Sequence, residues 1–449
     1  MLNKKLITYS LSITAVLSLL VLLSLSYRTV VQGQGSFALL LESWVLAAIS
    51  VYLLIFLVIL VFRYALMMAY SFFDHMETLN RGDPMPASSR DSSMPMVSLV
   101  VPAYNEGVVI EAAIRSLLEL DYENYEILVI DDGSTDDTYE KALGVAAESR
   151  RVPVRVITKK NGGKAEALNT GMSVARGEFV LNMDGDSKLS KNVIRSCVRH
   201  FDDPRIGAVA GNVKVVNREN IWSNIQALEY VEGLAMARKA QSFVRSVNII
   251  PGPLGMFRKS VLQEVNGYDH DTFAEDCDLT LKLLVRGWHI AYEPSAVAWV
   301  ETPSGLLNLL KQRYRWTRGI LQAISKHSAS LWQPRKAGIN FYILWFMLFE
   351  GIVWPFSTLL GNLFFIYVGV QYGLAILLFY WWLQLTLLDV VAAAYCIVIE
   401  DEDPKLIWYA IMFRLFYINI IDVSKVLASI EEWRGTTMTW GKLEREGKL

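Results

Sequence analysis

The chain has 449 residues, 53% hydrophobic and 20% charged, with a mean hydropathy of +0.30. That is longer than one ordinary domain needs, too apolar for a purely soluble protein and too charged for one lying wholly in a bilayer. A net charge of −2 gives no overall case for nucleic acid, and the three cysteines, Cys197, Cys277 and Cys396, are too scattered for zinc-ligand spacing and suit a reducing compartment.

The first apolar block, 6–25, follows Asn3-Lys4-Lys5 and is about 20 residues long, enough to span a bilayer. A basic start before an apolar stretch also opens cleaved signal peptides, but no small-residue cleavage site follows. A second block runs over 44–68, with Arg63 blurring its end. Lys4 and Lys5 favour a cytoplasmic N-terminus under the positive-inside rule, so two crossings within 1–70 return the chain to the cytoplasm. Residues 71–95 read as a linker, rich in Pro and Ser from 81 onward.

Within 96–303, apolar runs at 96–102, 127–130, 154–158, 179–183 and 206–213 read as strands. Amphipathic stretches at 107–120, 136–147, 165–175 and 191–201 read as helices. The alternation predicts an α/β domain with a largely parallel sheet. Ligands bind such sheets at the carboxyl ends of the strands. Polar turns follow four of the strands: Tyr104-Asn105-Glu106, Asp131-Asp132-Gly133-Ser134, Lys160-Asn161-Gly162-Gly163-Lys164 and Asp184-Gly185-Asp186.

Each turn has two readings. Asp131-Asp132-Gly133-Ser134 is either a turn with Ser134 or Thr135 capping a helix, or a carboxylate site for the N–H of a uracil ring. Gly162-Gly163-Lys164 is either a plain loop or a phosphate cradle of bare backbone plus one cation. Asp184 and Asp186 are either solvated or a seat for Mg²⁺ or Mn²⁺, which one or two carboxylates hold together with substrate phosphates.

Farther on, Phe273-Ala274-Glu275-Asp276 opens a helix running to about Arg286. Acidic residues suit a first helical turn, and Asp276 also suits a general base for an attacking hydroxyl. The turn 251–255, ending in Gly255, is either structural or lets backbone approach a ligand. Residues 304–326 form an amphipathic helix, with Lys311, Arg315 and Arg318 on one face as at a membrane surface. That does not account for Gln312-Arg313-Tyr314-Arg315-Trp316, in which Arg suits a diphosphate and Trp offers a sugar a flat face.

A second membrane region spans 336–430. Residues 338–399 suit two crossings, with three left open. Glu400-Asp401-Glu402-Asp403-Pro404 interrupts it, and 406–430 suits a spanning helix, a hairpin or an interfacial helix. Glu350 and Asp389 lie either along a product path or near an interface. Phe379-Tyr380-Trp381-Trp382 forms either an aromatic belt or a sugar-stacking surface. The tail 431–449 is basic and is expected in the cytoplasm.

Asp131-Asp132-Gly133-Ser134, Gly163-Lys164-Ala165, Asp184-Gly185-Asp186, Glu275-Asp276 and the Gln-x-x-Arg-Trp string together resemble the processive, inverting membrane glycosyltransferases of family 2. Hyaluronan, chitin, cellulose and poly-N-acetylglucosamine synthases belong there. In length, two-helix start and lack of a regulatory domain the chain is most similar to the bacterial poly-N-acetylglucosamine synthases. The resemblance, over 97–327, implies a GT-A type α/β nucleotide-sugar-binding domain (96–303) inserted between N- and C-terminal transmembrane helices. An interfacial helical segment (304–335) would follow that domain.

By the same resemblance Asp276 is the base and Asp132 contacts the uracil, with Asp131 or Glu106 assisting. Lys164 faces the diphosphate, Asp184 lies near the nucleotide, and Asp186 binds Mg²⁺ or Mn²⁺. Glu275 and Gly255 line the substrate site, while Gln312, Arg315 and Trp316 bind the UDP and shape the acceptor site. Trp433 and Trp440-Gly441-Lys442 with Arg445 loosely match a gating segment. The implied partners are a UDP-sugar donor, a growing polysaccharide and the lipid bilayer, with no nucleic acid. The need for a small membrane accessory subunit stays open. The implied location is the plasma membrane, multi-pass, with the catalytic domain in the cytoplasm. A transferase adding one sugar to a lipid carrier is the alternative.

Overall fold

A computed structural model describes residues 44–81, 94–334 and 338–436. The apolar block at 6–25 and the gating match from Trp440 onward lie outside them. The helices are α1 (Trp44–Arg81), α2 (Ile110–Leu118), α3 (Thr138–Glu148), α4 (Lys164–Val174), α5 (Val193–Val198), α6 (221–243), α7 (Lys259–Glu264), α8 (Glu275–Val285), α9 (Leu306–Lys326), α10 (Ile339–Tyr372), α11 (Ala375–Ile399) and α12 (Pro404–Trp433). The chain forms two compact units. One takes the described residues of Met1–Asn80, Asn224–Ala240 and Leu348–Trp433, and the other those of Arg81–Ser223, Gln241–Met347 and Arg434–Leu449.

The second unit is built on one sheet. Strands β1 (Val97–Ala103), β2 (Tyr125–Asp131) and β4 (Phe179–Asn182) are buried along their whole length. Parallel strands covered on both faces need apolar side chains on both, hence unbroken apolar runs instead of alternation. With β3 (Val154–Thr158), β5 (Ser187–Leu189), β6 (Ile206–Val215), β7 (Gly255–Arg258) and β8 (His289–Val300), the order is β3-β2-β1-β4-β7-β6-β8-β5. The β1–β2, β1–β4, β2–β3 and β6–β8 pairs are parallel. Short β7 runs antiparallel between β4 and β6, and β5 antiparallel to β8. Helix α2 buries Ile110, Ala113, Ile114 and Leu117, an i, i+3, i+4, i+7 stripe packed on Leu99, Val101, Ile127 and Val129. Each Leu, Ile or Val side chain among them contributes about 1.5–3 kcal/mol by leaving water.

The five predicted strands are present, and so is a mostly parallel sheet. Strands β5, β7 and β8 were not expected. Three or four residues are too few for a periodic signal, and β8 carries Pro294 and a register shift opposite Gly211/Asn212. Neither Ser134 nor Thr135 caps α3, which begins at Thr138 after Asp137.

Among the described residues four helices, spanning Trp44–Asn80 (within α1), α10, α11 and α12, are long and apolar enough to cross a membrane. Residues 406–430 lie in one helix, α12, and do not form a hairpin. Two pairs of charges meet inside the unit. Arg414 donates to both carboxylate oxygens of the buried Asp389, at 2.6 and 2.8 Å, and the Tyr64 hydroxyl donates to it at 2.9 Å. Glu350 pairs with Arg63. Wide π-helical turns at Tyr230–Ala235, Phe349–Val353 and Phe413–Tyr417 carry Glu232, Glu350 and Arg414 in turn. Trp381 and Trp382 both donate to Asn362 Oδ1, which ties these two rings of the string to α10. The middle of α6 belongs to this unit as well: Tyr417 donates to Glu229 at 2.7 Å, and Lys239 pairs with Glu400 at 2.5 Å.

Candidate active site

The site lies at the carboxyl ends of β1, β2 and β4, where the polar turns meet. Asn105 takes a left-handed backbone (φ 54°), which Asn tolerates better than most side chains. Its N–H donates to Ser134 Oγ at 2.9 Å and its Oδ1 accepts the Thr135 N–H at 2.7 Å. The loops after β1 and β2 are thereby tied together.

Asp131 accepts the Ser134 N–H and the Thr158 hydroxyl, one on each oxygen, and holds the turn. Asp132 is clamped to the loop after β3. Its Oδ1 accepts from Lys159 Nζ and Gly162 N at 2.8 and 3.0 Å, and its Oδ2 from Gly163 N at 2.7 Å. A carboxylate oxygen has two lone pairs, so Oδ2 keeps one acceptor position. Gly133 is required here: at φ +74° an added Cβ would lie 2.9 Å from Asn161 N and 3.0 Å from Lys159 O. Both are backbone atoms that cannot swing away.

Lys164 opens α4 and reaches into the acids, 2.6 Å from Asp184 Oδ1 and 3.0 Å from Glu275 Oε1. Asp276, in the first turn of α8, accepts the Cys277 N–H at 2.7 Å and the Gly252 N–H at 3.3 Å. Gly252 has no side chain to keep its backbone out: a Cβ there would lie 2.8 Å from Lys164 Nζ and 3.3 Å from Asp184 Oδ2. A small cavity has Lys164, Asn182, Gly252, Gly255, Tyr268 and Asp276 in its wall. Gly255 is the first residue of β7, paired with Asn182 and Ala210, not the end of a free turn. Asn182 donates to Tyr268 Oη at 2.6 Å. Neither residue had a sequence signal, because their meeting depends on chain segments 86 residues apart.

Burial, and after it the charge of Glu275, pushes the Asp276 carboxyl up to about 6, against the opposing pull of Lys164. Its charged form therefore prevails only above that pH, and the titration belongs to the neighbouring acids jointly. If Asp276 must be ionised to act, kcat/KM should be level above about pH 7 and fall about tenfold per unit below about pH 6. A kcat/KM profile flat down to about pH 5 would remove that requirement.

Asp186 is half-buried beyond Gly185, whose would-be Cβ lies 2.9 Å from Pro102 O and 3.7 Å from Glu106 Cγ. The turn thus packs closely beneath the β1 end and Glu106. Among the described residues three carboxylates, Asp184, Glu275 and Asp276, face the ammonium of Lys164, and this negative surplus with hard oxygen donors fits a divalent cation. Asp184 and Asp186 do not form a three-ligand group with another described acid, so substrate phosphate and water would complete the shell. The one such group among the described residues, Asp269, Asp271 and Asp278, is filled by Lys326 Nζ at 2.6, 2.7 and 2.9 Å. A lysine stands there in place of a metal.

On α9, Gln312 Oε1 accepts from Arg313 Nη1 at 2.6 Å, and the Arg313 guanidinium stacks 4.2 Å over the Trp316 ring. Arg313 is thus a support the sequence reading did not single out. Arg315 and Trp316 are half-buried. Arg318 is not on a basic outer face. It is 3% exposed, donating to Tyr314 Oη and to Thr436 O at 3.2 and 2.6 Å.

The sequence profile described as "Glycosyltransferase like family 2" matches residues 95–319. The poly-beta-1,6-N-acetyl-D-glucosamine synthase of Staphylococcus aureus is 32% identical over 265 residues, 59% of this chain and 63% of that protein. The Staphylococcus epidermidis protein of the same name is 26% identical over 394 residues, 84% of this chain and 93% of that protein. The solved mannosyltransferase of Pyrobaculum calidifontis, in complex with GDP-Man and Mn²⁺, superposes with a TM-score of 0.58 at 20% identity. That superposition covers 83% of this chain and 99% of that one. The sheet unit therefore has a GT-A-like glycosyltransferase fold.

Proposed function

The chain belongs to the family described as glycosyltransferase like family 2, and on that premise we propose a processive, inverting transferase. It polymerises a sugar from a UDP-sugar, UDP-N-acetylglucosamine, into a β-linked polysaccharide and passes the product across the membrane. The observation that carries this reading is Asp276, half-buried in the first turn of α8 with Lys164, Asp184 and Glu275 around it. Support for polymerisation comes from the Gln312–Trp316 string, the membrane-length helices and the names of the relatives. The unit bearing Asp276 faces the cytoplasm of a multi-pass plasma-membrane protein.

Asp276 takes the proton of an acceptor hydroxyl as that oxygen bonds to the anomeric carbon. The bond from that carbon to the UDP oxygen breaks on the opposite face, and a single displacement turns an α-linked donor into a β-linked product. Asp132 accepts the uracil N–H on its remaining lone pair, with Asp131 and Glu106 nearby. Lys164 faces the departing diphosphate, and Gln312, Arg315 and Trp316 hold UDP and orient the acceptor. A divalent cation bound by Asp186 beside Asp184 would supply Lewis-acid neutralisation of the diphosphate. Chelation should therefore abolish turnover, and added Mg²⁺ or Mn²⁺ should restore it. Turnover that persists after thorough chelation takes the metal out of the mechanism.

Membranes carrying the protein, given a panel of UDP-sugars, should yield long chains from UDP-N-acetylglucosamine that a β-specific hexosaminidase degrades. Single-sugar lipid adducts as the sole product would instead establish the non-processive alternative.

A further inference from the structure

The helix bearing Gln312 and Trp316 also grips the segment that presents Asp276. Gly319 of α9 lies so close to Ala274 that an added Cβ would sit 2.7 Å from its backbone N and from its Cβ, and 2.9 Å from Phe273 C. One turn on, Gln322 Oε1 accepts the Phe273 N–H at 3.1 Å. At the end of the helix Lys326 Nζ donates to Asp278 at 2.9 Å, and His327 Nε2 bonds the same fully buried carboxylate at 2.8 Å. Gly319, Gln322 and Lys326 recur at i, i+3 and i+7, so one face of α9 holds the chain on both sides of Asp276.

We propose that Gln322 is a positioning residue for Asp276. By holding the Phe273 peptide it sets where the first turn of α8 begins and so aims the carboxylate. It also makes α9 a strut between Gln312–Trp316 and that carboxylate. Asp278, two residues farther along α8, anchors the other side of the same turn. A proton acceptor misplaced by about 1 Å can lose about 10²-fold in rate. One neutral hydrogen bond carries too little to decide whether the fold persists. The loss belongs in kcat, since the donor's contacts on Asp132, Lys164 and Gln312–Trp316 keep their own side chains when Gln322 is changed, and the lost hydrogen bond is the one to the Phe273 peptide. The proposal rests on Asp276 being the base.

The test is steady-state kinetics of the full-length protein with UDP-N-acetylglucosamine and the cation. Gln322→Met, similar in shape but with no oxygen acceptor, should lower kcat by roughly 10- to 100-fold. KM for the donor should stay within about twofold and the unfolding temperature unchanged. Gln322→Glu, which keeps the acceptor oxygen, should restore most of kcat. In an Asp276→Asn background Gln322→Met should cost nothing further, because the group it aims no longer acts. Wild-type kcat in Gln322→Met overturns the proposal, as does a parallel loss of kcat, donor binding and unfolding temperature, or full additivity with Asp276→Asn. If Asp276→Asn is itself active, the base assignment falls along with this proposal. If it is inactive while Gln322→Met turns over normally, the proposal alone falls.

Discussion

Asp276→Asn should cut kcat by about three orders of magnitude while leaving donor binding close to that of the native protein. The amide is nearly isosteric and keeps one oxygen to accept the Cys277 or the Gly252 N–H, so the first turn of α8 has little cause to move. What it loses is the capacity to take a proton at the moment the acceptor oxygen attacks. The same change removes one negative charge from a cluster holding Asp184 and Glu275. An anionic diphosphate should therefore bind as well as before or slightly better. Calorimetric titration with UDP-sugar and a parallel turnover assay separate the two effects. A variant that keeps more than about a tenth of native kcat would show that proton transfer lies elsewhere.

Lys164→Met should act on both binding and proton transfer. Among the described residues Lys164 is the ammonium bonded to both Asp184 and Glu275, and its charge holds the Asp276 carboxyl below where burial and Glu275 would put it. Without it Asp276 binds its proton more tightly. The acidic limb of kcat/KM should then move above about pH 6, and activity at neutral pH should fall. Truncating one partner of a desolvated ion pair costs about 2–5 kcal/mol, so KM for the UDP-sugar should rise by a factor of roughly 30 or more. Lys164→Arg keeps the cation and should recover part of both effects. An unmoved limb together with an unchanged KM would reduce Lys164 to a structural ion pair.

Much of this site was legible in the residues themselves. Unbroken apolar runs ending in acidic or glycine-rich turns can be read because a buried parallel strand must be apolar on both faces. Its end is also where the backbone is free to meet a ligand. Glu275 and Asp276 stood out as acids opening a helix, and Gln312–Trp316 because a plain amphipathic helix has no use for that string. The illegible parts depended on distant partners. Nothing near Gly252 in sequence says that its N–H will meet Asp276. Nothing near Asp269, Asp271 and Asp278 in sequence says that Lys326, 48 residues beyond Asp278, will bond to all three. Nothing in the sequence of α6 says that its Glu229 and Lys239 will meet Tyr417 and Glu400.

The sequence by itself determined the alternation of strand and helix, the membrane-length apolar blocks and the chemical inventory of acids, one lysine and the Gln-x-x-Arg-Trp string. These follow from periodicity and local backbone preference, which act over a few residues. Tertiary structure alone decided which acid is desolvated and which is neutralised. It also decided that Asp132 clamps a loop, that Arg313 backs Trp316, and that α9 braces Asp276. Desolvation and Coulomb interaction depend on spatial distance, and no local pattern encodes a distance between residues far apart in the chain.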